Sequence, residues 1–532
     1  MSRSSAVVLA VVTIAIPASS QTKPAPARAP APVPASVSTM TPLEKRATLS
    51  IESVRNSPLE LRNLLVKMPK GSDLHNHLYG AIYAETWIRN AAEDNMCLDP
   101  TAIRGSGPVY SRGDGNPPSC AAGKVPASDA FKNQHLYDDL INAFSIRSFV
   151  PTPGVTAHDH FFNTFARFGG ISEKHLGEWL DEVATRADRQ NVHYLELMHT
   201  PPFLGTVKAG YGIGWKDDLA QFRDALLATG EVAKDVATAR KQLDEAEADR
   251  AKRERCVQPD ASSACRLKMR YLCQILRGFP KEQVFAHTIL CFEIASADPR
   301  YVGINMVMPE DGYHSMTDYA EQMRMVGFLH KLYPKVHITL HAGEIAPPMV
   351  TYEGLCCHIR LAVEEAGAER IGHGVDIMYE QRPHELLKEM AAKHVMVEIN
   401  LSSNDLILGV SGKDHPFPVY RKFGVPVSFS TDDEGVSRID LANEYVRAVQ
   451  TYDLKYLDLK QMVRTGIEHI FVPGASLWAA PDKFSAPVAA CAHDKLGSDK
   501  PSAACTAFLN SSERAQQQWE LERRFQAFES QL

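Results

Sequence analysis

Lys70-Gly71-Ser72-Asp73-Leu74-His75-Asn76-His77-Leu78 is the stretch from which we infer the fold. Alternate residues of a β-strand point to the same face, so on a strand His75 and His77 would direct two imidazoles at one point. On a helix, residues two positions apart do not face each other. A histidine pair on a strand is as commonly structural as metal-binding, and its meaning therefore depends on the strands that follow.

Short β-branched or aromatic runs that end in polar residues alternate with longer helical patterns along the chain. This alternation predicts an α/β fold, and eight such units predict a closed (β/α)8 TIM barrel with its site at the C-terminal ends of the strands. The predicted strands cover residues 73–78, 192–198, 284–293, 301–307, 336–341, 371–376, 395–400 and 425–430.

The barrel is predicted to occupy residues 41–480, with insertions at about 97–130 and 228–280. The first insertion is rich in Gly, Pro and Ser, whereas the second contains a charged helical pattern. Residues 481–532 read as a C-terminal loop and helix extension.

The N-terminus has the pattern of an export signal. Residues 1–20 combine a weakly basic start, a short apolar run and small residues before a cleavage position near Ser20/Gln21. Residues 21–40 are rich in Pro and Ala and read as a disordered linker. We therefore expect a secreted or periplasmic protein with no membrane span in its mature form.

Ten cysteines suit an oxidising compartment. Local pairing in loop-like stretches predicts three disulfides: Cys97 with Cys120, Cys256 with Cys265, and Cys491 with Cys505. The other four lie in apolar runs and are expected to be buried thiols: Cys273, Cys291, Cys356 and Cys357.

Charge and composition favour a small-molecule partner. The 532 residues carry a formal net charge of −7, and no long basic block stands out. Nucleic-acid binding, which usually needs a concentrated cationic patch, is therefore not expected.

Three further motifs follow predicted strands. His341-Ala342-Gly343-Glu344 places a histidine at a strand end and an acid in the turn. Arg370-Ile371-Gly372-His373-Gly374 places a histidine between glycines. Ser430-Thr431-Asp432-Asp433 ends in two adjacent carboxylates, which repel each other unless a cation or hydrogen-bond donors hold them; an N-cap would explain one of the two.

Three histidines and one aspartate make a plausible metal site, because barrel enzymes gather such groups at the carboxyl ends of different strands. Imidazole and carboxylate ligands suit zinc, iron or manganese, and zinc is the usual metal for hydrolysis. A metal in this ligand set would allow water to lose a proton near neutral pH.

In their order along the chain, these motifs resemble the adenosine deaminase family of metal-dependent hydrolases. The resemblance also includes Met68-Pro69-Lys70 and Val302-Gly303-Ile304-Asn305 and runs from about residue 60 to about 475. The signal peptide, the stapled loops and Pro309-Glu310-Asp311 look more like the secreted, growth-factor-type branch than the compact cytosolic enzymes.

The resemblance implies a function and a role for each site residue. Adenosine or 2′-deoxyadenosine would be hydrolysed to inosine or its deoxy form and ammonia, with one Zn²⁺ per chain. Protonated Glu344 would donate to purine N1, and His373 would orient the nucleophile. Asp433 would contact N7, and the backbone N–H of Gly303 would contact N3. The zinc ligands would be His75, His77, His341 and Asp432.

Two positions depart from the family. Tyr79 stands where the cytosolic enzymes carry an acid that contacts the ribose, and Pro309 stands where the secreted branch carries a histidine. Another 6-aminopurine is therefore an alternative substrate. A barrel metallohydrolase acting on an amide, ester or phosphoester, and a non-catalytic binding protein, are the other interpretations. A homodimer through residues 41–70 or 228–280 is the protein partnership to test.

Overall fold

Eight parallel strands form a barrel in the computed structural model, which describes residues 40–532. The predicted signal peptide and residues 21–39 of the Pro/Ala-rich segment lie outside the described residues. In chain order the strands are β1 (Gly71–His77), β2 (Met96–Leu98), β3 (Tyr110–Arg112), β4 (Val125–Pro126), β5 (Val192–His199), β6 (Lys268–Leu276), β7 (Tyr301–Val307), β8 (His337–Ala342), β9 (Arg370–His373), β10 (Met396–Ile399), β11 (Val427–Phe429), β12 (Trp478–Ala480) and β13 (Lys483–Pro487).

The barrel strands are hydrogen-bonded in the order β1-β5-β6-β7-β8-β9-β10-β11. Closure is made by the backbone at the two ends of this order: His77 N–H donates to Asp432 at 3.0 Å, and Asp432 N–H donates to His75 at 2.8 Å. The (β/α)8 barrel that the sequence predicts is therefore confirmed, and its closure brings the histidine pair of β1 beside the residues that follow β11.

Helices surround this barrel and connect its strands. They are α1 (Pro42–Val54), α2 (Pro58–Lys67), α3 (Leu78–Ala81), α4 (Ala84–Glu93), α5 (Gln134–Ala143), α6 (Ala157–Arg167), α7 (Leu176–Arg189), α8 (Leu204–Ile213), α9 (Leu219–Ala228), α10 (Glu231–Arg253), α11 (Lys281–Ala297), α12 (Tyr313–Thr317), α13 (Tyr319–Leu332), α14 (His358–Glu364), α15 (Pro383–Lys393), α16 (Leu401–Leu408), α17 (Phe417–Phe423), α18 (Glu434–Ser437), α19 (Leu441–Tyr452), α20 (Tyr456–Glu468), α21 (Ala503–Ser511) and α22 (Glu513–Gln531). Within residues 40–532, no helix is long and apolar enough to cross a membrane.

The third barrel strand is not where the sequence pattern predicts it. Residues 284–293 form the middle of helix α11, and the strand is β6, which lies inside the predicted 228–280 insertion. Nearly every residue of this part of α11 is buried, so the helix has no exposed polar face. A buried helix of this kind lacks the 3.6-residue period that separates a helix from a strand.

The cysteine pairing is partly as predicted. The disulfides Cys97–Cys120, Cys256–Cys265 and Cys491–Cys505 are confirmed. The expectation of four buried thiols is wrong, because the structure pairs Cys273 with Cys291 and Cys356 with Cys357. Cys273 and Cys291 lie on β6 and α11, which pack together with these Cα atoms 5.4 Å apart.

Candidate metal centre and active site

Four predicted ligand residues meet at the carboxyl ends of the barrel strands. His75 and His77 lie on β1, His341 lies on β8, and Asp432 follows β11. One ligand atom from each of these residues lies within 4.8 Å of the others. His75, His341 and Asp432 are buried, whereas His77 is partly exposed to the cavity above.

Each histidine of this cluster is oriented by an oxygen behind it. His75 Nδ1–H donates to Glu398 Oε2 at 2.7 Å. His77 Nδ1–H donates to Gln274 Oε1 and His341 Nδ1–H donates to Asn305 Oδ1, both at 2.8 Å. A neutral imidazole carries one N–H, so the proton on Nδ1 leaves each Nε2 with a free lone pair.

Those free lone pairs face one another. His341 Nε2 lies 3.1 Å from His75 Nε2 and 3.2 Å from His77 Nε2, and Asp432 Oδ1 lies 3.3 and 3.2 Å from the two histidines of β1. Tetrahedral zinc with bonds near 2.0–2.1 Å separates its ligand atoms by about 3.3 Å. With the three rings neutral, as metal ligation requires, four acceptors at this spacing repel one another unless a cation lies between them, so the residues present fit a zinc ion.

A chain of buried ion pairs supports His75 from below. Glu398 accepts from Arg370 Nε at 2.7 Å and from Thr339 at 2.9 Å, and Arg370 Nη2 also pairs with Glu196 at 2.7 Å. Glu196, Arg370 and Glu398 are fully buried. A buried charge of this kind is retained only when it is paired, and here the pairing holds the carboxylate that orients His75.

Glu344 lies beside the cluster because the chain turns sharply after β8. Gly343 has a φ of +77°, and a Cβ there would lie 2.4 Å from the Asp376 carboxylate, so only glycine fits. The Glu310 carboxylate accepts from the backbone N–H groups of Gly343 and Glu344 at 2.9 and 2.8 Å. The turn that presents Glu344 is therefore held by a buried acid.

The surroundings of this turn shift the pKa values of Glu344 and Glu310 in opposite directions. Burial, with the negative charges of Asp432 and Glu310, raises the pKa of Glu344 well above its usual range. Burial also opposes ionisation of Glu310, but hydrogen bonding from His358 and the charge of Arg277 lower its pKa to about 2. Glu344 is therefore the neutral acid of the pair and Glu310 is the anion.

His373 lies on the other side of Glu344. Its Nε2 is 3.5 Å from Glu344 Oε1 and has no hydrogen-bond partner among the described residues. Burial lowers the pKa of His373 to about 3, so the ring is neutral at neutral pH. His373 and Asp432 have φ values of 68° and 62°, a strained conformation for non-glycine residues that clusters at functional sites.

Asp433 points into the same region. Its side chain is buried, and its Oδ1 has no hydrogen-bond partner among the described residues. Gly80 makes room for it, because a Cβ at Gly80 would lie 1.6 Å from Asp433 Oδ1.

Gly303 does not join the site. It is the third residue of β7 and pairs with His337 at the start of β8, whereas the strand reaches the cavity at Val307 and Met308. Four residues of strand separate Gly303 from Val307 by about 13 Å. The expected contact of Gly303 with a purine is therefore not supported, since its backbone lies deep in the barrel wall.

A cavity of about 400 Å³ lies above the cluster. Its polar lining residues are His77, His341 and Asp432 of the metal centre together with Asn163, Gln274, Glu344 and Asp433, and the rest of the lining is aromatic and aliphatic. No Lys or Arg of residues 40–532 lines it. The apolar lining residues are Phe161, Phe162, Phe165, Leu276, Phe279, Val307, Met308 and Pro309.

Tyr79 lies in a smaller neighbouring cavity of about 240 Å³, which shares His77, Phe165 and Gln274 with the main one. Its hydroxyl donates to Glu173 at 2.7 Å, and its ring packs edge-on against Trp179 with centroids 5.6 Å apart. Tyr79 therefore contributes an aromatic wall where the family resemblance suggests an acid.

The sequence patterns assign no role to the residues that orient the metal ligands, which are Gln274, Asn305 and Glu398, or to Glu310 and Asn404, which hold the Glu344 turn and His373. A signal was present for Glu398, which is a charged residue inside the apolar strand pattern at 395–400. Gln274 and Asn305 are likewise single polar residues inside apolar runs, whereas Glu310 and Asn404 have polar neighbours, and the roles of these four follow only from the closed barrel.

The chain is similar to known proteins over different shares of its length. A family model described as adenosine deaminase matches residues 172–479, more than half of the chain and inclusive of His341, His373 and Asp432. Adenosine deaminase of Yersinia pseudotuberculosis is 33% identical over 149 residues, 28% of this chain and 41% of that protein. Adenosine deaminase of Pectobacterium atrosepticum is 30% identical over 182 residues, 34% of this chain and 48% of that protein. The chain thus spans less than half the length of these relatives.

One solved structure shows a likeness of fold, and a second is similar at a lower score. An amidohydrolase from Burkholderia ambifaria with bound Zn has a TM-score of 0.50 and 17% identity, covering 78% of this chain and 88% of that one. The N6-mAMP deaminase of Arabidopsis has a TM-score of 0.48 and 20% identity, covering 77% and 96%. The matched family model, with the ordered motifs that it contains, identifies the chain as a member of the adenosine deaminase family.

Proposed function

We propose that this protein hydrolyses the 6-amino group of adenosine or 2′-deoxyadenosine, releasing ammonia, with one zinc ion per chain. The observation that carries the proposal is the convergence of four ligand atoms with a neutral Glu344 at one cavity. When bound, zinc would supply hydroxide at neutral pH by lowering the pKa of water from about 16 to about 7.

Glu344 is the proton donor to purine N1 in this proposal. Attack at C6 places an electron pair on N1, and a carboxylic acid within hydrogen-bond reach can protonate it as it forms. The raised pKa favours the protonated form of Glu344, so a donor is available before the reaction begins. The resulting carboxylate could then take the proton of the hydroxyl added at C6 and pass it to the departing amino group, so that the C6 carbonyl forms and ammonia leaves.

His373 and Asp433 position the reacting groups. The neutral His373 ring lies beside Glu344, where its Nε2 can contact the attacking oxygen. Asp433 has an unpartnered Oδ1 beside the cavity, and the acid form of its carboxyl would donate to purine N7. These two contacts would fix C6 over the metal centre.

The cavity favours an uncharged substrate. Its lining contains no Lys or Arg within the described part of the chain, so a nucleotide phosphate would lose its hydration without gaining a charged partner. The volume of about 400 Å³ lies in the range of small-molecule sites.

Adenine, or another 6-aminopurine that lacks ribose, is the second candidate substrate. The observation that favours it is the environment of Tyr79: the carboxylate that lines this smaller cavity is Glu173, and its two oxygens already accept hydrogen bonds from Tyr79 and Gln242 instead of a ribose hydroxyl.

A direct assay separates these candidates. The purified protein, supplied with zinc, is incubated with adenosine, 2′-deoxyadenosine, adenine and AMP, and ammonia release is measured together with the change in ultraviolet absorbance. We expect turnover of a nucleoside and none of AMP. Absence of ammonia from all four, with zinc bound, would reject the proposal and favour an amide, ester or phosphoester substrate.

Glu344→Gln tests the proton donor. Loss of a proton donor to the ring should lower kcat by about 100- to 10,000-fold while zinc content is unchanged. The exposed Glu353→Gln serves as the matched control and should keep wild-type kcat.

We also propose export to the periplasm or the medium and membership of the secreted, growth-factor-type branch. The signal-like pattern of residues 1–20 and the five disulfides support these proposals. N-terminal sequencing of protein recovered from the producing organism tests export, with Gln21 as the expected first residue. Light scattering on the purified chain tests the homodimer, and a monomer mass would end that proposal.

A further inference from the structure

A buried polar chain lies behind His373, on the side away from the metal centre. His373 Nδ1 is 2.9 Å from Asn404 Nδ2 and 3.4 Å from Asn400 Nδ2. Asn404 lies on α16, and its Oδ1 is 3.0 Å from His415 Nε2. All four side chains are almost entirely excluded from solvent.

The direction of this chain is set at its far end by a backbone group. The N–H of Phe417 donates to His415 Nδ1 at 3.1 Å, and a backbone amide can only donate. His415 Nδ1 therefore carries no proton. Burial lowers the pKa of His415 to about 4, so at neutral pH the ring is uncharged and holds its single proton on Nε2.

That proton determines how Asn404 is oriented. His415 Nε2–H donates to Asn404, so the amide must present its oxygen to His415 and its NH₂ group to His373. His373 Nδ1 then accepts a hydrogen bond, and its ring proton must lie on Nε2. The opposite orientation of Asn404 would place two donors against each other at His415.

We propose that His415, acting through Asn404, is a positioning residue that holds His373 with its proton on Nε2 and aimed into the active site. His373 Nε2 lies 3.5 Å from Glu344 Oε1, and its ring centroid lies 4.9 and 5.1 Å from those of His75 and His341. In this tautomer His373 donates a hydrogen bond to the attacking oxygen and cannot take a proton from it at Nε2. This consequence for catalysis rests on the proposed function, whereas the tautomer does not.

The tautomer is measured directly by long-range ¹H–¹⁵N correlation spectra of wild-type protein labelled with ¹⁵N-histidine. The signals of His373 are assigned by their loss in His373→Ala. We expect Nδ1 at the shift of an unprotonated nitrogen and Nε2 at that of an N–H. A proton on Nδ1 of His373 in the wild type would overturn the proposal, whether or not the protein deaminates a purine.

His415→Leu removes the donor to Asn404, and His415→Gln restores an N–H group near the position of Nε2. With the leucine variant we expect a mixed His373 tautomer, a kcat lower by about 10- to 100-fold and a KM within about twofold of wild type. The glutamine variant should regain most of the lost kcat. The exposed His384→Leu is the matched control and should leave both constants unchanged.

The outcomes divide cleanly. An unchanged tautomer and kcat in His415→Leu, or a loss that appears only in KM, would overturn the positioning role. If His415→Leu does not fold, as judged by circular dichroism, the wild-type spectrum and the kcat of His415→Gln still decide. If the wild type is inactive on every purine, the proposed function is rejected, and the NMR spectrum alone then decides whether His373 has the proposed tautomer.

Discussion

Glu398→Gln should weaken metal binding, although Glu398 is not itself a metal ligand. The wild-type carboxylate accepts from His75 Nδ1–H at 2.7 Å with one oxygen and from Arg370 and Thr339 with the other. A glutamine in the same place must turn its NH₂ group either to His75 or to Arg370. With the NH₂ group toward His75, Nδ1 must accept, and the ring proton moves to Nε2, where it blocks the lone pair that binds the metal. With the NH₂ group toward Arg370, a hydrogen-bond donor faces the guanidinium cation.

The magnitude follows from the role of such orienting groups. Loss of a carboxylate behind a ligating histidine typically lowers metal affinity 10- to 100-fold, which is about 1.4 to 2.7 kcal/mol. Stability should fall as well, because Arg370 is fully buried and would keep only Glu196 as a charged partner. Removing one partner of a buried ion pair costs about 3–5 kcal/mol of stability. The loss in Glu398→Gln should be smaller, because the glutamine can still accept a hydrogen bond from Arg370.

The assay is competition for zinc with a chromophoric chelator at fixed pH, paired with urea unfolding of the metal-free protein. Glu353→Gln, on the surface, controls for the change of charge. A zinc Kd within twofold of wild type, in a folded Glu398→Gln variant, would refute the claim that this carboxylate selects the ligating tautomer of His75.

Three further predictions concern the cavity and the turn after β8. Gly80→Ala should abolish most of the activity while zinc content is kept, because the new methyl group would displace Asp433; wild-type kcat with Gly80→Ala would contradict that packing. The pKa of Glu310 is lowered to about 2 by His358 and Arg277 from an ordinary 4.5, so its ionised form contributes full stability above about pH 4.5 and less as the pH falls towards 2. Glu310→Gln should therefore lose less unfolding free energy between pH 6 and pH 3 than wild type does, by roughly 2 of the roughly 3 kcal/mol that complete titration at lower pH would remove, as measured by urea unfolding at each pH. AMP should have a kcat/KM at least about 100-fold below that of the best nucleoside, since no cation in the described lining replaces phosphate hydration; equal values would show a phosphate site that the cavity does not display.

The sequence patterns predicted the barrel but misplaced one strand. The β6 segment alternates buried and partly exposed residues, as a strand does. It follows the charged helix α10, and because of that helix the whole stretch 228–280 was predicted to be an insertion. The apolar run at 284–293 took its place because a helix buried on all sides has no polar face to reveal its period. The Cys273–Cys291 bridge was missed for the same reason, since the pattern assigns its two residues to an insertion and a strand.

The expected role of Gly303 shows a different limit. A motif can identify the right strand, but which residue of that strand contacts the ligand depends on where the cavity begins. Here the cavity is lined by Val307 and Met308, four and five residues later. A strand advances about 3.3 Å per residue, so an error of this size moves a contact out of the site.

The convergence of the four ligands follows from local patterns in the sequence. Side-chain direction on a strand is a local property with a period of two, and the carboxyl ends of parallel strands share one edge. These two rules direct His75, His77, His341 and Asp432 to a common place. Which nitrogen of each ring carries its proton was decided only by the tertiary structure. The acceptors and donors that decide it, among them Glu398 and the chain from His415, come from residues tens to hundreds of positions away, and barrel closure and strand register bring them into contact.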